Sequence, residues 1–71
     1  MKRETIDSDS VRSIGYQPEN QLLEIEFSGG GVYQYEGVDQ WEHLELISAE
    51  SVGTYVNQEL KRKGHPYRKV T

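Results

Sequence analysis

The sequence contains no cysteine. Disulfide bonds and cysteine-based zinc sites are therefore excluded, and a thiol-free composition fits the reducing cytoplasm, where we expect the protein to work. No apolar run approaches the roughly 20 residues that a membrane-spanning helix needs. The start, Met1-Lys2-Arg3, leads into acidic and polar residues, so we expect no secretory leader and no membrane partner.

Large apolar residues are also scarce, with one tryptophan, one phenylalanine and one methionine among 71 residues. A chain of this length has room for a single domain, and so small a domain buries only about 60% of its unfolded surface. Five tyrosines and several β-branched residues nevertheless exceed what a disordered chain carries. We expect one monomeric globular domain over residues 10–71, preceded by a flexible terminus over residues 1–9.

Acidic residues are absent from one end of the chain. Residues 1–59 hold three cations and all twelve acids, whereas residues 60–71 hold five cations and no acid. The overall net charge of −4 therefore conceals a basic pole. Two interpretations stay open, because cations at a helix end complement the helix dipole and cations on a surface also attract anionic ligands.

The first half of the chain has the two-residue period of β-strands. Apolar residues alternate with glutamates over LEIEF, residues 23–27, which is the pattern of a half-buried strand. Further strands are predicted over residues 10–16 and 32–36. A turn with proline and asparagine at residues 17–20 and a glycine-rich turn at residues 28–31 separate the three strands.

The second half changes to a helical period. Asp39 can cap a first helix, and Glu42 three residues later completes a capping-box-like pattern. Trp41, Leu44 and Ile47 then recur at helical spacing.

A second helix is predicted after Ser51, a suitable N-cap. Its apolar stripe, with a period near 3.6 residues, consists of Val52, Tyr55, Val56 and Leu60. Gly64 suits the position after the helix end and Pro66 prevents continuation, so residues 67–71 form a short edge strand or dock along the sheet. The predicted fold is α+β: a three-stranded antiparallel meander packed on one face by two C-terminal helices.

The length of the glycine-rich turn decides where Tyr33 and Tyr35 point, because residues two apart in a strand share a face. A two-residue turn places both tyrosines beside glutamates on the open face, as a stacking platform. A three-residue loop pairs Tyr33 with Ile25 and Tyr35 with Leu23 on the helix-covered face. We favour the three-residue loop, which makes the tyrosines mainly core residues with hydroxyls at the rim.

Four phrases follow one another in an order that resembles the KTSC domain: SVRSIGY, LEIEF, GGVYQYEGV and SAESVGTYVNQELK. The resemblance covers about residues 10–68. Its most specific part is the pattern Ala-x-Ser-x-Gly-x-Tyr-x-Asn, to which a central Tyr-x-Tyr is added. The motif residues are Tyr33, Tyr35, Ala49, Ser51, Gly53, Tyr55 and Asn57.

The KTSC domain is a short module named for its occurrence at the C-terminus of some lysyl-tRNA synthetases, and it is also found alone in bacterial proteins. The resemblance implies a bacterial-type domain, and the occurrence of the family in tRNA synthetases suggests RNA binding. This sequence departs from the family in its acidic first helix, where Glu42, Glu45 and Glu50 would repel a phosphate backbone.

No arrangement of residues predicts an enzyme. His43 is predicted to be a surface residue of the first helix, and scattered ligands do not make a metal site. No serine has the context of a nucleophile elbow, and the GGG run lacks the helix and Lys-Ser/Thr of a phosphate loop. Glu24 and Glu26 are predicted to form the solvated face of their strand. We expect no catalytic residue, metal or cofactor.

Gly53 falls in the first turn of the second helix, where glycine costs about 1 kcal/mol relative to alanine in a helix interior. Close approach of another backbone would explain it, and so would an exposed helix N-terminus that receives a phosphate. Asn57 falls off the apolar stripe and is free to bond to a neighbouring loop or to a ligand.

Only the basic end has the composition of a binding surface. Cations interleaved with an aromatic residue suit single-stranded nucleic acid, because phosphates need positive charge and every base has a face on which to stack. The predicted nucleic-acid-binding residues are Lys61, Arg62, Lys63, His65, Tyr67, Arg68 and Lys69. The predicted function is a non-catalytic module that binds RNA weakly through this surface. The alternative is a protein-interaction module that uses the acidic face of the first helix or a strand edge.

Overall fold

Five antiparallel strands form one sheet in the order in which they occur along the chain. The computed structural model describes residues 1–71, and its strands are β1 (Arg3–Thr5), β2 (Val11–Gln17), β3 (Leu22–Phe27), β4 (Val32–Tyr35) and β5 (Tyr67–Lys69). The helices are α1 (Gln40–Ser48) and α2 (residues 52–63), which runs through Val52–Tyr55, a π-helical turn at Val56–Leu60, and Lys61–Lys63.

The predicted α+β fold, with an antiparallel sheet and two helices, is confirmed, but the prediction of three strands is wrong. β1 lies in the segment that the sequence assigns to a flexible terminus, and β5 is the edge strand that was one of two alternatives for the C-terminal segment. Each has three residues and is held mainly by its neighbour, β1 by β2 and β5 by β4. Strands of three residues are too short to show an alternation of apolar and polar residues. Their conformation is therefore determined by the strands with which they pair.

The hairpin between β3 and β4 has the predicted three-residue loop. Ile25 lies opposite Tyr33 and Leu23 lies opposite Tyr35. Gly30 and Gly31 adopt φ angles of 99° and 95°, which residues with a side chain rarely do. The glycine run therefore fixes the register, and the register directs both tyrosines towards the helices.

The core lies between one face of the sheet and the two helices. β2, β3 and β4 contribute side chains that alternate with polar residues on the open face. The largest fully buried side chains are Leu23, Ile25, Leu46, Leu60, Val11, Val38 and Val56. Because so few large side chains form this core, each of them carries a sizeable part of the domain's stability.

Both helices begin at the predicted caps. The Asp39 side chain accepts a hydrogen bond from the Glu42 backbone N–H at 2.8 Å, and Ser51 accepts one from Thr54 at 3.3 Å. Gly64 ends α2 with φ at 71°, in the left-handed region. The caps satisfy backbone groups that helix ends would otherwise leave unpaired.

Helix α1 buries a face other than the one that carries Trp41, Leu44 and Ile47. Glu42 and Leu46 point into the domain, whereas Trp41, Leu44 and Ile47 are exposed. Helical spacing indicates correctly that this segment is a helix, but the side that packs against the sheet is chosen by partners elsewhere in the chain.

Candidate functional site

A groove with a volume of about 610 Å³ opens between α2 and the sheet edge formed by β4 and β5. We call it the aromatic groove, because four aromatic rings follow one another along the sheet. The centroid of Tyr33 lies 5.6 Å from that of Phe27 and 6.1 Å from that of Tyr67, and Tyr67 lies 5.6 Å from Tyr35. The opposite wall, on α2, includes Asn57 and Lys61.

The rings differ in exposure. Tyr35 is 8% exposed, and burial, followed by the neighbouring phenols of Tyr67 and Tyr33, raises its pKa. Tyr33 is partly buried and packs against the core, as the register predicts. Tyr67 is 64% exposed, and its ring is the one in the row that a ligand reaches without any movement of the protein.

Two cations beside the aromatic groove have no carboxylate partner. Lys69 lies opposite Tyr33 in the β4–β5 ladder, on the same face as the aromatic row. Lys61 lies on the α2 wall. No Asp or Glu oxygen lies within 4 Å of either ammonium group, so both remain available for an anion.

The two other cations at the end of α2 are already paired with carboxylates. Arg62 donates two hydrogen bonds to Glu59, at 2.8 and 3.3 Å, and this contact raises the pKa of Arg62 and lowers that of Glu59. Lys63 lies 3.8 Å from Glu42 and 3.9 Å from Glu45. An anionic ligand would have to compete with these carboxylates for both side chains.

Arg68 lies on the other face of the sheet. It pairs with Gln34 in the ladder and donates a hydrogen bond of 3.1 Å to the Gln34 amide oxygen. Gln34 in turn donates to Glu24 at 2.9 Å, and Arg3 lies 3.4 Å from that carboxylate. The structure therefore divides the predicted basic surface between two faces of the sheet.

A carboxylate–imidazole pair closes one end of the aromatic groove. Glu42 is 7% exposed, and its carboxylate lies 2.7 Å from His65 Nε2. His65 lines the groove two residues before β5, so the contact fastens the segment that leads into that strand to α1. Sequence reasoning missed this role for Glu42, because 23 residues separate the partners and neither belongs to a recognisable motif.

His43 is half-buried rather than a plain surface residue. Its ring stacks on Tyr16 with a centroid distance of 4.3 Å and an interplanar angle of 13°. Burial lowers the pKa of His43, opposed by the negative charge of Glu4. The Tyr16 hydroxyl donates a hydrogen bond of 2.6 Å to the Val38 carbonyl, so the stack is anchored to the loop before α1.

The motif residues on α2 have mainly structural contacts. Ser51 caps the helix, and Tyr55 donates a hydrogen bond of 3.3 Å to Glu45. Burial, reinforced by the nearby carboxylates, raises the pKa of Tyr55 to about 12. A Cβ at Gly53 would collide with the Ser10 hydroxyl, so a serine side chain, rather than another backbone, approaches this glycine.

Asn57 is the motif residue with a free side chain. It is exposed, makes no hydrogen bond through its amide group, and borders the aromatic groove. It also borders a second groove on the far side of α2. Its amide can therefore donate to a ligand and accept from it.

Comparison with known proteins identifies the family. A model described as KTSC domain matches residues 7–63. An uncharacterised protein of Stutzerimonas stutzeri (strain A1501) is 43% identical over 70 residues, which are 99% of this chain and 99% of that protein. The chain belongs to the KTSC family.

A solved structure shares the KTSC fold. The crystal structure of a KTSC domain protein from Yersinia pestis matches with a TM-score of 0.92 at 37% identity, over 99% of this chain and 97% of that one. A protein of Tsukamurella paurometabola is 36% identical over 52 residues, which are 73% of this chain and 78% of that protein. The resemblance that the sequence phrases suggest is thus confirmed.

In the structure of this chain, no three or more His, Asp or Glu side chains are grouped so that they could hold a metal ion. Neither helix has the length and apolar composition to span a membrane.

Proposed function

We propose that this KTSC domain binds single-stranded RNA in the aromatic groove. The observation that carries the proposal is the exposed ring of Tyr67, held in a row of aromatic side chains beside two unpaired lysines. Aromatic rings provide stacking surfaces for bases, and lysines provide charge for phosphates. The groove lining includes no serine or cysteine, and the Glu42 carboxylate at its end is held by His65, so we propose binding without catalysis.

The proposal assigns separate roles to the groove residues. Tyr67 stacks on a base, while Lys61 and Lys69 contact phosphates on either side of the row. His65 supports Tyr67 from the preceding turn. Arg62, Lys63 and Arg68 contribute less, because carboxylates or the opposite sheet face hold them away.

The test is a fluorescence anisotropy titration of a short, labelled, mixed-sequence RNA at several salt concentrations. Tyr67→Ala should lose about 1–3 kcal/mol of binding free energy through lost stacking. Each phosphate contact on a single strand contributes about 0.7 to the slope of log K against log salt. Lys61→Glu with Lys69→Glu should therefore reduce that slope by about 1.4.

The matched control is Lys2→Glu with Arg12→Glu, which changes the net charge equally at β1 and β2, on the opposite side of the sheet from β5. If both double variants weaken binding to the same extent, the interaction is nonspecific attraction and the groove is not the site. Absence of binding by the unmodified domain at low salt would also refute the proposal. Circular dichroism of each variant establishes that it is folded.

A further inference from the structure

An exposed apolar stripe runs along α1, on the side away from the core. It consists of Trp41, Leu44 and Ile47, whose side chains are 67%, 50% and 43% exposed. At 100° per residue these positions share one face of the helix. Exposed clusters of large apolar side chains on small soluble domains commonly mark interaction surfaces.

The stripe ends beside a groove whose charged lining residues are all acidic. This acidic groove, with a volume of about 640 Å³, is bordered by Ile47 at the end of the stripe and by Asp7, Asp9 and Glu50. No lysine, arginine or histidine lines it. None of the three carboxylates takes part in an ion pair or a side-chain hydrogen bond.

We propose that the α1 stripe and the acidic groove together bind a basic amphipathic helix of a partner protein. Apolar side chains of that helix would cover Trp41, Leu44 and Ile47, as in other helix-in-groove complexes. Lysine or arginine side chains beyond them would reach the carboxylates of the acidic groove, which have no internal partner. A second copy of this chain fits less well, because its α1 would bring another acidic surface to the same place.

The surface is distinct from the aromatic groove, so the proposal is independent of RNA binding. The two surfaces share only Asn57 at their margins. Failure to bind RNA would leave this inference unaffected, and failure to bind a basic helix would leave the RNA proposal unaffected.

Trp41 supplies the experiment, since it is the only tryptophan of the chain and lies in the stripe. The probe is a synthetic helical peptide of leucine and lysine, without aromatic residues, in which leucines recur at positions i, i+3 and i+7. Its titration into the domain should shift Trp41 emission to shorter wavelength in a saturable manner. A matched peptide with glutamate in place of every lysine should cause no such shift.

Variants of the domain separate the two parts of the surface. Leu44→Asn should weaken peptide binding at least about tenfold, as expected for a central apolar contact. Asp7→Asn with Asp9→Asn should weaken it several-fold at low salt and flatten its salt dependence. Glu19→Gln with Glu36→Gln, two exposed and unpaired acids elsewhere, should have little effect.

Three results would overturn the proposal. Equal binding of the lysine and glutamate peptides would remove the acidic groove from the site. No emission shift with either peptide would remove the site altogether. A shift that appears on concentrating the domain alone, and that Leu44→Asn abolishes, would assign the stripe to a second copy of the chain.

Discussion

The absence of a side chain at Gly15 allows β1 to pair with β2. The Arg3 side chain passes over β2 at this position to reach Glu24 on β3, with 3.4 Å between their charged groups. A Cβ at position 15 would lie 2.9 Å from both Arg3 Cγ and the Lys2 carbonyl oxygen. The carbonyl belongs to the backbone and cannot move without displacing β1.

We therefore predict that Gly15→Ala lowers the free energy of unfolding by about 1–3 kcal/mol, the usual cost of overpacking. Urea denaturation followed by circular dichroism measures it. The matched control is Gly29→Ala, because position 29 has no neighbour within 4 Å and no positive φ. That control should be neutral or slightly stabilising, and an equal loss in both variants would contradict the steric explanation.

His43 gives the domain a stability that depends on pH. Since burial lowers the pKa of His43, the folded state prefers the neutral imidazole more than the unfolded state does. The resulting stabilisation is complete above the unfolded pKa of about 6.5 and is lost as pH falls through the lower folded value. We predict that the urea midpoint decreases from pH 7.5 to pH 5.

His43→Phe is the control for this titration, because it can keep a ring on Tyr16 without an ionisable group. The variant should lose part of the decrease between pH 7.5 and pH 5. An unchanged pH profile would show that the dependence arises from other groups.

At the scale of elements, the sequence is most informative where a pattern is local. β3 and β4 are predicted with their register because alternation and a glycine-rich loop are both contained in 14 residues, 22–35. β1 is not predicted, because Arg3-Glu4-Thr5 has no apolar residue and needs Gly15 as a neighbour.

The buried face of α1 and the division of the basic end have non-local causes. Glu42 is buried because His65 meets it from the far end of the chain. Arg68 leaves the surface shared by Tyr67 and Lys69 because strand residues alternate between faces. The composition places Tyr67, Arg68 and Lys69 in one basic segment. Only the pairing of β5 with β4 shows that Arg68 lies on the opposite face from the other two.

Glu42→Ala tests whether α1 holds β5 in place. The variant leaves His65 without its partner, so we predict a loss of about 1–3 kcal/mol of stability. Hydrogen exchange should accelerate at the amides of the β4–β5 ladder more than in β3. Glu50→Ala removes an exposed and unpaired glutamate just beyond the end of the same helix and serves as the control. Uniform acceleration across the sheet would mean that Glu42 stabilises the domain without a specific effect on β5.

For the whole molecule, we expect ionisation of the tyrosines to reduce stability in alkali. Tyr16, Tyr35 and Tyr55 all have raised pKa values, chiefly through burial, and that of Tyr55 is about 12. A raised pKa means that the unfolded state loses the proton first, so the stabilisation is present below about pH 10 and disappears as pH rises towards 12.

We predict that the urea midpoint decreases steeply between pH 10 and pH 12. Tyr55→Phe should reduce the steepness, because it removes the phenol with the pKa of about 12. Ultraviolet absorbance of phenolate, recorded in parallel, shows whether ionisation accompanies unfolding. A midpoint that stays constant over this range would refute the prediction.

The position of β5 also has a consequence for the order of folding. Short loops connect the first four strands, β1 to β4, one after another along the chain. The hairpins that they form need only local contacts, which form quickly. β5 pairs with β4 only after residues 36–66 have folded back, and closing that longer loop costs additional chain entropy. Tyr67 and Lys69 therefore reach the aromatic groove late. A nascent chain therefore acquires its meander before the aromatic groove is complete, so a ligand that needs the ring of Tyr67 can bind only after β5 has paired with β4.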